Sequence, residues 1–231
     1  MRVKPLSWDS AFFNLKIGEL QLEEDTVAAT IDEDFDLIYV KSSEEITLDL
    51  SNYSGKYSEV KVVFEKKGIT AHANPSSSIS EVLQTEFNLD DLYQLAFESG
   101  THSRFAMDPL FTEAHFRKLY STWIDNSING TFADGFLVDY TQEEIRGFVT
   151  YQMKGDKAII GLIATSPKHQ GHGIGTQLIN GVESRLVANG ITTLQIPTQL
   201  KNEGACNFYK KLGYSPIETT YLKHYWRDSF Q

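Results

Sequence analysis

Cysteine is almost missing from this sequence. Cys206 stands alone among 231 residues, which excludes an intrachain disulfide and a zinc cluster built on cysteines, and no metal is expected. A lone thiol on a helix reads as a small packing residue, and no base that would activate it is identifiable. Long apolar runs are missing too. No stretch approaches the roughly 20 apolar residues that span a bilayer. The opening MRVKPLSWDSAFF lacks the apolar centre of a secretory signal, so the expected setting is soluble and cytoplasmic, without a membrane partner. Positive charge is scarce: 21 Lys and Arg against 31 Asp and Glu give a formal −10, which argues against nucleic acid as a partner. With 41% hydrophobic residues the chain can build one sizeable core or two small ones.

The scarcity reverses in one place. Residues 158–214 hold Lys168, Arg185, Lys201, Lys210 and Lys211 against Glu183 and Glu203, a net +3 that leaves −13 for the rest. Such a reversal suits a small polyanion, although a chance cluster of solvated lysines gives the same count.

Alternating apolar residues predict strands at Phe35–Val40 and Val60–Phe64, and HANPSSS reads as a linker. The expected division is a small N-terminal α/β portion, 1–80, and a larger domain, 81–231. Residues 41–70 show no long helix. Leu89, Leu92, Leu95 and Ala96 recur at helical spacing behind Asn88, a natural cap. A second helix runs from Glu113 to about Ile128, and the segment between them, GTHSRFAMDPLF, is irregular. Gly135–Tyr140 and Ile145–Met153 form an antiparallel hairpin around TQEE, and Ala158–Thr165 is the next strand. Ile174, Leu178, Val182 and Leu186 make a helical stripe that Gly190 ends. Thr192–Pro197 is the last strand of this run, its Pro197 tolerable only where strands separate.

Between that strand and that helix lies Gln170-Gly171-His172-Gly173-Ile174-Gly175. Glycines admit close backbone approach, and a helix start offers unpaired amides and the positive end of a dipole, together an anion site suited to pyrophosphate. A plain connecting loop is the alternative. The G-x-G-x-x-G spacing of dinucleotide folds is not met. Thirty-two residues after Gln170 a second pattern begins at Asn202: N-x-x-A-x-x-F-Y-x-x-x-G-Y, ending at Tyr214.

These two patterns in this order resemble the acetyl-coenzyme A binding motifs of the GNAT superfamily of N-acetyltransferases. The resemblance implies an α/β (α+β) fold with a central mixed, splayed sheet flanked by helices. It implies acetyl-coenzyme A as co-substrate, with the amides of Gly171–Thr176 on the pyrophosphate, so that Gln170, Gly171, His172, Gly173, Ile174, Gly175 and Thr176 are cofactor-side candidates. The strand backbone at Ile163, Ala164 and Thr165 would pair with the pantetheine and polarise the thioester. Asn202 would touch the coenzyme, and Tyr209 would be the acid that protonates the departing thiolate. Lys168 is a further electrostatic candidate. The helical pattern puts Ala205, Phe208 and Leu212 on the core side with Tyr209 at its edge; a half-buried, uninvolved tyrosine is the alternative.

LSWDSAFFN, HSRF at 102–105, YSTWIDNSINGTF at 120–132 and TTLQIPTQLKN at 192–202 resemble the branch of that superfamily that acetylates TDP-linked 4-amino-4,6-dideoxy sugars. The implied acceptor is a small-molecule nucleotide-sugar amine. Ser103, Arg104, Phe105, Tyr120, Asn126 and Gln199 are its candidate contacts: arginine suits a phosphate or a hydroxyl-rich sugar and an aromatic ring stacks, while Arg104 in a surface ion pair is the alternative. His102 is a speculative base, and a solvent-exposed or loop-ordering histidine is the favoured alternative. Another amine, a protein N-terminus, or a non-catalytic acetyl-coenzyme A sensor are the competing functions. The closing TTYLKHYW either pairs across a homodimer as an exposed strand or packs Tyr221, Tyr225 and Trp226 within one chain.

Overall fold

The structure is a computed structural model that describes residues 2–22, 28–29, 31, 34–73, 78–82, 88–141 and 144–230. In chain order its elements are β1 (Lys4–Pro5), α1 (Ser7–Phe13), β2 (Ile17–Gln21), β3 (Ala28–Ala29), β4 (Leu37–Ser42), β5 (Asp49–Leu50), β6 (Tyr53–Lys67), β7 (Ile79–Glu81), α2 (Leu89–Ser99), α3 (Arg104–Met107), α4 (Glu113–Ile128), β8 (Gly135–Thr141), β9 (Glu144–Lys154), β10 (Lys157–Thr165), α5 (Ile174–Ala188), β11 (Thr193–Gln199), α6 (Glu203–Lys211) and β12 (Ser215–Arg227).

Ten of the strands share one mixed sheet in the order β1-β2-β4-β12-β6-β11-β10-β9-β8-β7. β2 with β4 and β10 with β11 are parallel, and the other neighbours run antiparallel. Strands from both sides of residue 80 therefore lie in the same sheet, because β6 inserts between β11 and β12. The two-residue alternation of strands separates the cores. On β8, Phe136 and Val138 join one cluster with Leu92 and Ala96 of α2 and Leu119 and Ile124 of α4. Leu137, between them, joins the opposite cluster with Leu178 and Val182 of α5 and Leu194 and Ile196 of β11. Helices thus cover both faces, as the mixed sheet flanked by helices requires.

Local signals account for the helix limits. Asn88 caps α2 by accepting from the Asp90 amide at 3.0 Å, and Thr112 caps α4 by accepting from the His115 amide at 3.1 Å. α5 stops at Ala188, two residues before Gly190 with φ +76°. The predicted strands are longer or shifted: β4 begins at Leu37 rather than Phe35, β6 extends far past Val60–Phe64, and β11 continues through Pro197 to Gln199. The irregular segment contains one short turn of helix, α3. Of the linker, residues 74–77 lie outside the described residues, as do 142–143 of TQEE; His72 is held, its amide to Ser184 Oγ and its ring 2.7 Å from Glu183.

β12 is paired with β6 over most of its length and with β4 at Tyr221–Trp226, so of the two readings of TTYLKHYW the packing within one chain holds for Tyr225 and Trp226, which are buried. One expectation is corrected. On α6 the deeply buried positions are Cys206 and Tyr209, while Ala205, Phe208 and Leu212 are only partly covered. The helix sits rotated from the predicted face because part of that face looks into a cavity rather than into packed core.

Candidate active site

Pairing between β10 and β11 stops at Ile159↔Gln195, although both strands continue. β10 bulges there: its register against β9 shifts between Ile160 and Ile163, and the Thr150 hydroxyl accepts from the Leu162 amide at 2.9 Å, holding the bulge. A side chain on Gly161 would meet that hydroxyl at 2.8 Å. Opposite, Pro197 has no amide donor to offer and stays paired with Val63 of β6. The two parallel strands therefore splay, and Ile163, Ala164 and Thr165 have no strand partner on the β11 side.

Below the splay a cavity of about 640 Å³ is lined by Ile163–Thr165, Gln170, Gly171, Gly173–Thr176, Asn202, Ala205, Phe208 and Tyr209. Gly171 and Gly173 have φ of +81° and +79°, a left-handed backbone that favours glycine. They turn the chain into α5, whose cap Gly173 contributes no side-chain hydrogen bond. The first amides of α5 consequently lack partners within the helix and face the cavity with the positive end of its dipole. At Gly175 an added Cβ would stand 3.1 Å from the Phe208 ring, so the glycine lets α5 and α6 close around the cavity. Asn202 caps α6 by accepting from the Ala205 amide at 3.1 Å.

Tyr209 is 4% exposed, with its ring against Phe208 and Phe64. Burial pushes its phenol well above the usual tyrosine range, so it stays protonated near neutral pH. It also lines a second cavity of about 360 Å³ that shares Ala164, Gln170 and Asn202 with the first and adds His102, Pro197 and Gln199. Tyr209 stands where the two meet. Cys206, three residues before it, is a buried thiol pushed up by burial, 3.7 Å from the Gln199 carbonyl, the packing role expected of it.

Tyr120 and Gln199 belong both to that second cavity and to a third of about 880 Å³ on the other side. Its floor is the sheet: Lys41 of β4, Glu59, Lys61 and Val63 of β6 and Gln199 of β11 point to one face at alternate positions. Its roof carries Trp8 and Asp9 of α1, Arg104 and Phe105 of α3, and Trp123 of α4. The Arg104 guanidinium lies 4.1 Å from the ring centre of buried Tyr39. Glu59 is 7% exposed and accepts from the Tyr57 hydroxyl at 3.0 Å; burial pushes its carboxyl up, as it does for Asp9.

Sequence-derived candidates thus collect in one continuous passage. Every cofactor-side candidate lines the first cavity except His172, whose ring sits exposed against the Gln170 carbonyl at 3.0 Å; Lys168 is exposed beside it and lines none of the three. On the acceptor side Ser103, Arg104, Phe105, Tyr120 and Gln199 line the large cavity. Asn126 does not: its carbonyl accepts from the Thr131 and Phe132 amides and closes the turn after α4. Missed were His169 beside the glycine loop and the charged row on β6. The signal for the latter was present, since Tyr57, Glu59 and Lys61 alternate with buried Val62 and Phe64 on a strand that should otherwise have one plain polar face.

The model of the Acetyltransferase (GNAT) family matches residues 89–214. This chain belongs to the GNAT acetyltransferases. It is therefore an N-acetyltransferase, and the splayed sheet is the GNAT fold. Over almost its full length this GNAT chain is similar to a protein named dTDP-fucosamine acetyltransferase in Escherichia coli O6:H1, 27% identical over 225 residues, 95% of this chain and 96% of that one. The spore coat polysaccharide biosynthesis protein SpsD of Bacillus subtilis is 26% identical over 133 residues, 58% of this chain and 46% of its own. A solved structure of a conserved protein from Staphylococcus epidermidis shares the fold at TM-score 0.59 and 14% identity, covering 84% of this chain and 73% of that one.

Proposed function

We propose that this GNAT enzyme moves an acetyl group from acetyl-coenzyme A to the amino group of a nucleotide-linked amino sugar of the TDP-4-amino-4,6-dideoxyhexose type. The observation that carries the proposal is the passage itself: a cavity suited to an extended anionic cofactor meets, at Tyr209, a polar cavity large enough for a second substrate. Similarity to dTDP-fucosamine acetyltransferase along both halves of the chain supports the choice of acceptor, and the polysaccharide setting of SpsD points the same way.

The open glycine loop fits a pyrophosphate, because its left-handed turn and unpaired amides present donors without side chains in the way. Bound acetyl-coenzyme A supplies an activated thioester. The amides of Ile163–Thr165 hold its arm and polarise the carbonyl oxygen, while Tyr120 and Gln199 align the amine on the far side. The C–N bond forms as the C–S bond breaks. Tyr209 keeps its proton available for the departing sulfur, and the amine's own proton leaves to solvent through the second cavity, which His102 lines. Direct transfer in a ternary complex follows, since Cys206 is buried and inert.

The test is acceptor competition in a thiol-release assay with TDP-4-amino and TDP-3-amino sugars beside spermidine and an aminoglycoside. The proposal expects one TDP-amino sugar to lead by kcat/KM. A nucleotide-free amine that outruns all of them would sink it.

A further inference from the structure

The acceptor cavity holds charges that could neutralise one another and are kept apart. Tyr57 ties Glu59, and Tyr39 carries Arg104 on its ring face. Lys61 extends into the open space. Among the described residues no ion pair joins Glu59 to either cation, and neither the Arg104 guanidinium nor the Lys61 ammonium has a hydrogen-bond partner. Partial desolvation and then the Arg104 charge hold the Lys61 ammonium below its usual range. Two cations converging on one space favour an anion between them, and a stacked guanidinium keeps its planar fork of donors free for phosphate oxygens.

The sheet also gives these groups an order. Gln199 of β11 stands opposite Lys61 of β6, which stands opposite Thr220 of β12; the neighbouring row continues from Leu222 of β12 to Lys41 of β4 and Gln21 of β2. At about 4.8 Å per strand, the floor from β11 to β2 runs roughly 19 Å. α1 packs over the β2 end and brings Trp8 into the cavity wall. That ring is 49% exposed, with one face stacked on Phe12 at 4.9 Å and 14°, which leaves the opposite face as a platform.

We propose that the acceptor lies across the strands as a nucleoside diphosphate sugar, its amine over β11, its diphosphate between Lys61 and Arg104, and its base against Trp8. The assignment rests on the nucleotide-sugar reading and adds to it an orientation and two recognition residues, Lys61 and Trp8. Glu59, buried two residues before Lys61 on the same face of β6, offsets part of this positive charge, so that the anion is held and released rather than trapped.

Thymidine diphosphate is the probe, because it carries the anion and the base without the amine. Its binding to the full chain, measured by calorimetry, is expected to weaken at least tenfold in Lys61→Met and in Trp8→Ala. Trp8→Ala should leave inorganic pyrophosphate binding unchanged, whereas Lys61→Met should weaken it too; acetyl-coenzyme A affinity should stay as in the wild type in both. Lys61 and Trp8 are exposed, so neither substitution empties the core. Wild-type affinity for thymidine diphosphate in both variants would overturn this subsite and leave the nucleotide-sugar reading intact. A wild-type protein that binds no thymidine diphosphate yet acetylates nucleotide-free amines would overturn the reading itself.

Discussion

His224 is locked to Asp108: its Nδ1 lies 2.5 Å from Oδ2, and both side chains are wholly buried. Trp226 donates its Nε1 proton to the same oxygen at 2.9 Å. An ionised carboxylate only accepts, so the imidazole carries its proton on Nδ1. Asp108 ends α3, the turn that presents Arg104 and Phe105 to the acceptor cavity, while His224 and Trp226 lie on β12 in the sheet. The contact therefore pins the cavity roof to its floor. Asp108→Ala strands two buried donors and should cost about 3 kcal/mol or more. Calorimetric melting checks the loss, and the KM for the acceptor should rise while that for acetyl-coenzyme A holds.

The same contact sets a pH dependence. Burial lowers the His224 pKa to about 4, against the pull of Asp108. Burial also pushes Asp108 up, but the His224, Leu110 and Trp226 hydrogen bonds outweigh it and leave the carboxyl below its ordinary value. With the histidine depressed in the folded state, the unfolded chain binds more protons between about pH 4 and 6.5. Stability is then complete above that window and falls as pH drops through it. Melting temperature against pH should show this slope, and His224→Asn should flatten it whatever its effect on absolute stability.

Tyr209→Phe removes the proton without the ring. We expect kcat to drop about 100-fold or more, with acetyl-coenzyme A affinity within about twofold, since the ring packing against Phe64 and Phe208 remains. Unchanged turnover would take Tyr209 out of the chemistry.

Gly173→Ala puts a side chain on a backbone at φ +79°. The strain should cost about 1–2 kcal/mol and tilt the first amides of α5 away from the cavity, so the KM for acetyl-coenzyme A should rise more than that for the acceptor. Steady-state kinetics with each substrate varied in turn separates the two.

Thr150→Val leaves the Leu162 amide without its acceptor at the bulge. Stability should fall by about 1–2 kcal/mol, and kcat should fall with it, because the bulge aims Ile163–Thr165 into the splay. Denaturant titration beside initial rates reads both.

What was legible in the sequence is what is local in the chain. The glycine loop, the stripe of α5 and the Asn202–Tyr214 spacing each lie within one segment, and the structure brings those segments to one cavity. The caps at Asn88 and Thr112 obey the same short-range chemistry. The charged floor of the acceptor side escaped because it is assembled across distant strands: Lys41 and Lys61 come to share a floor with Gln199 only once β6 inserts between β11 and β12. Strand pattern alone does not encode that insertion. The α6 face was misjudged for a related reason, since periodicity marks which residues are apolar and is silent on whether they meet core or cavity. Asn126 had helical spacing with Tyr120 in its favour, yet it lies in the last turn of α4, where its carbonyl is taken up by the turn that follows.

The most direct test of the account is thiol release measured over a grid of acetyl-coenzyme A and TDP-4-amino sugar concentrations. Transfer across the splay at Tyr209 with both cavities filled predicts reciprocal plots that intersect and an N-acetylated sugar as product. Parallel lines, the sign of an acetylated enzyme released before the acceptor binds, would contradict it.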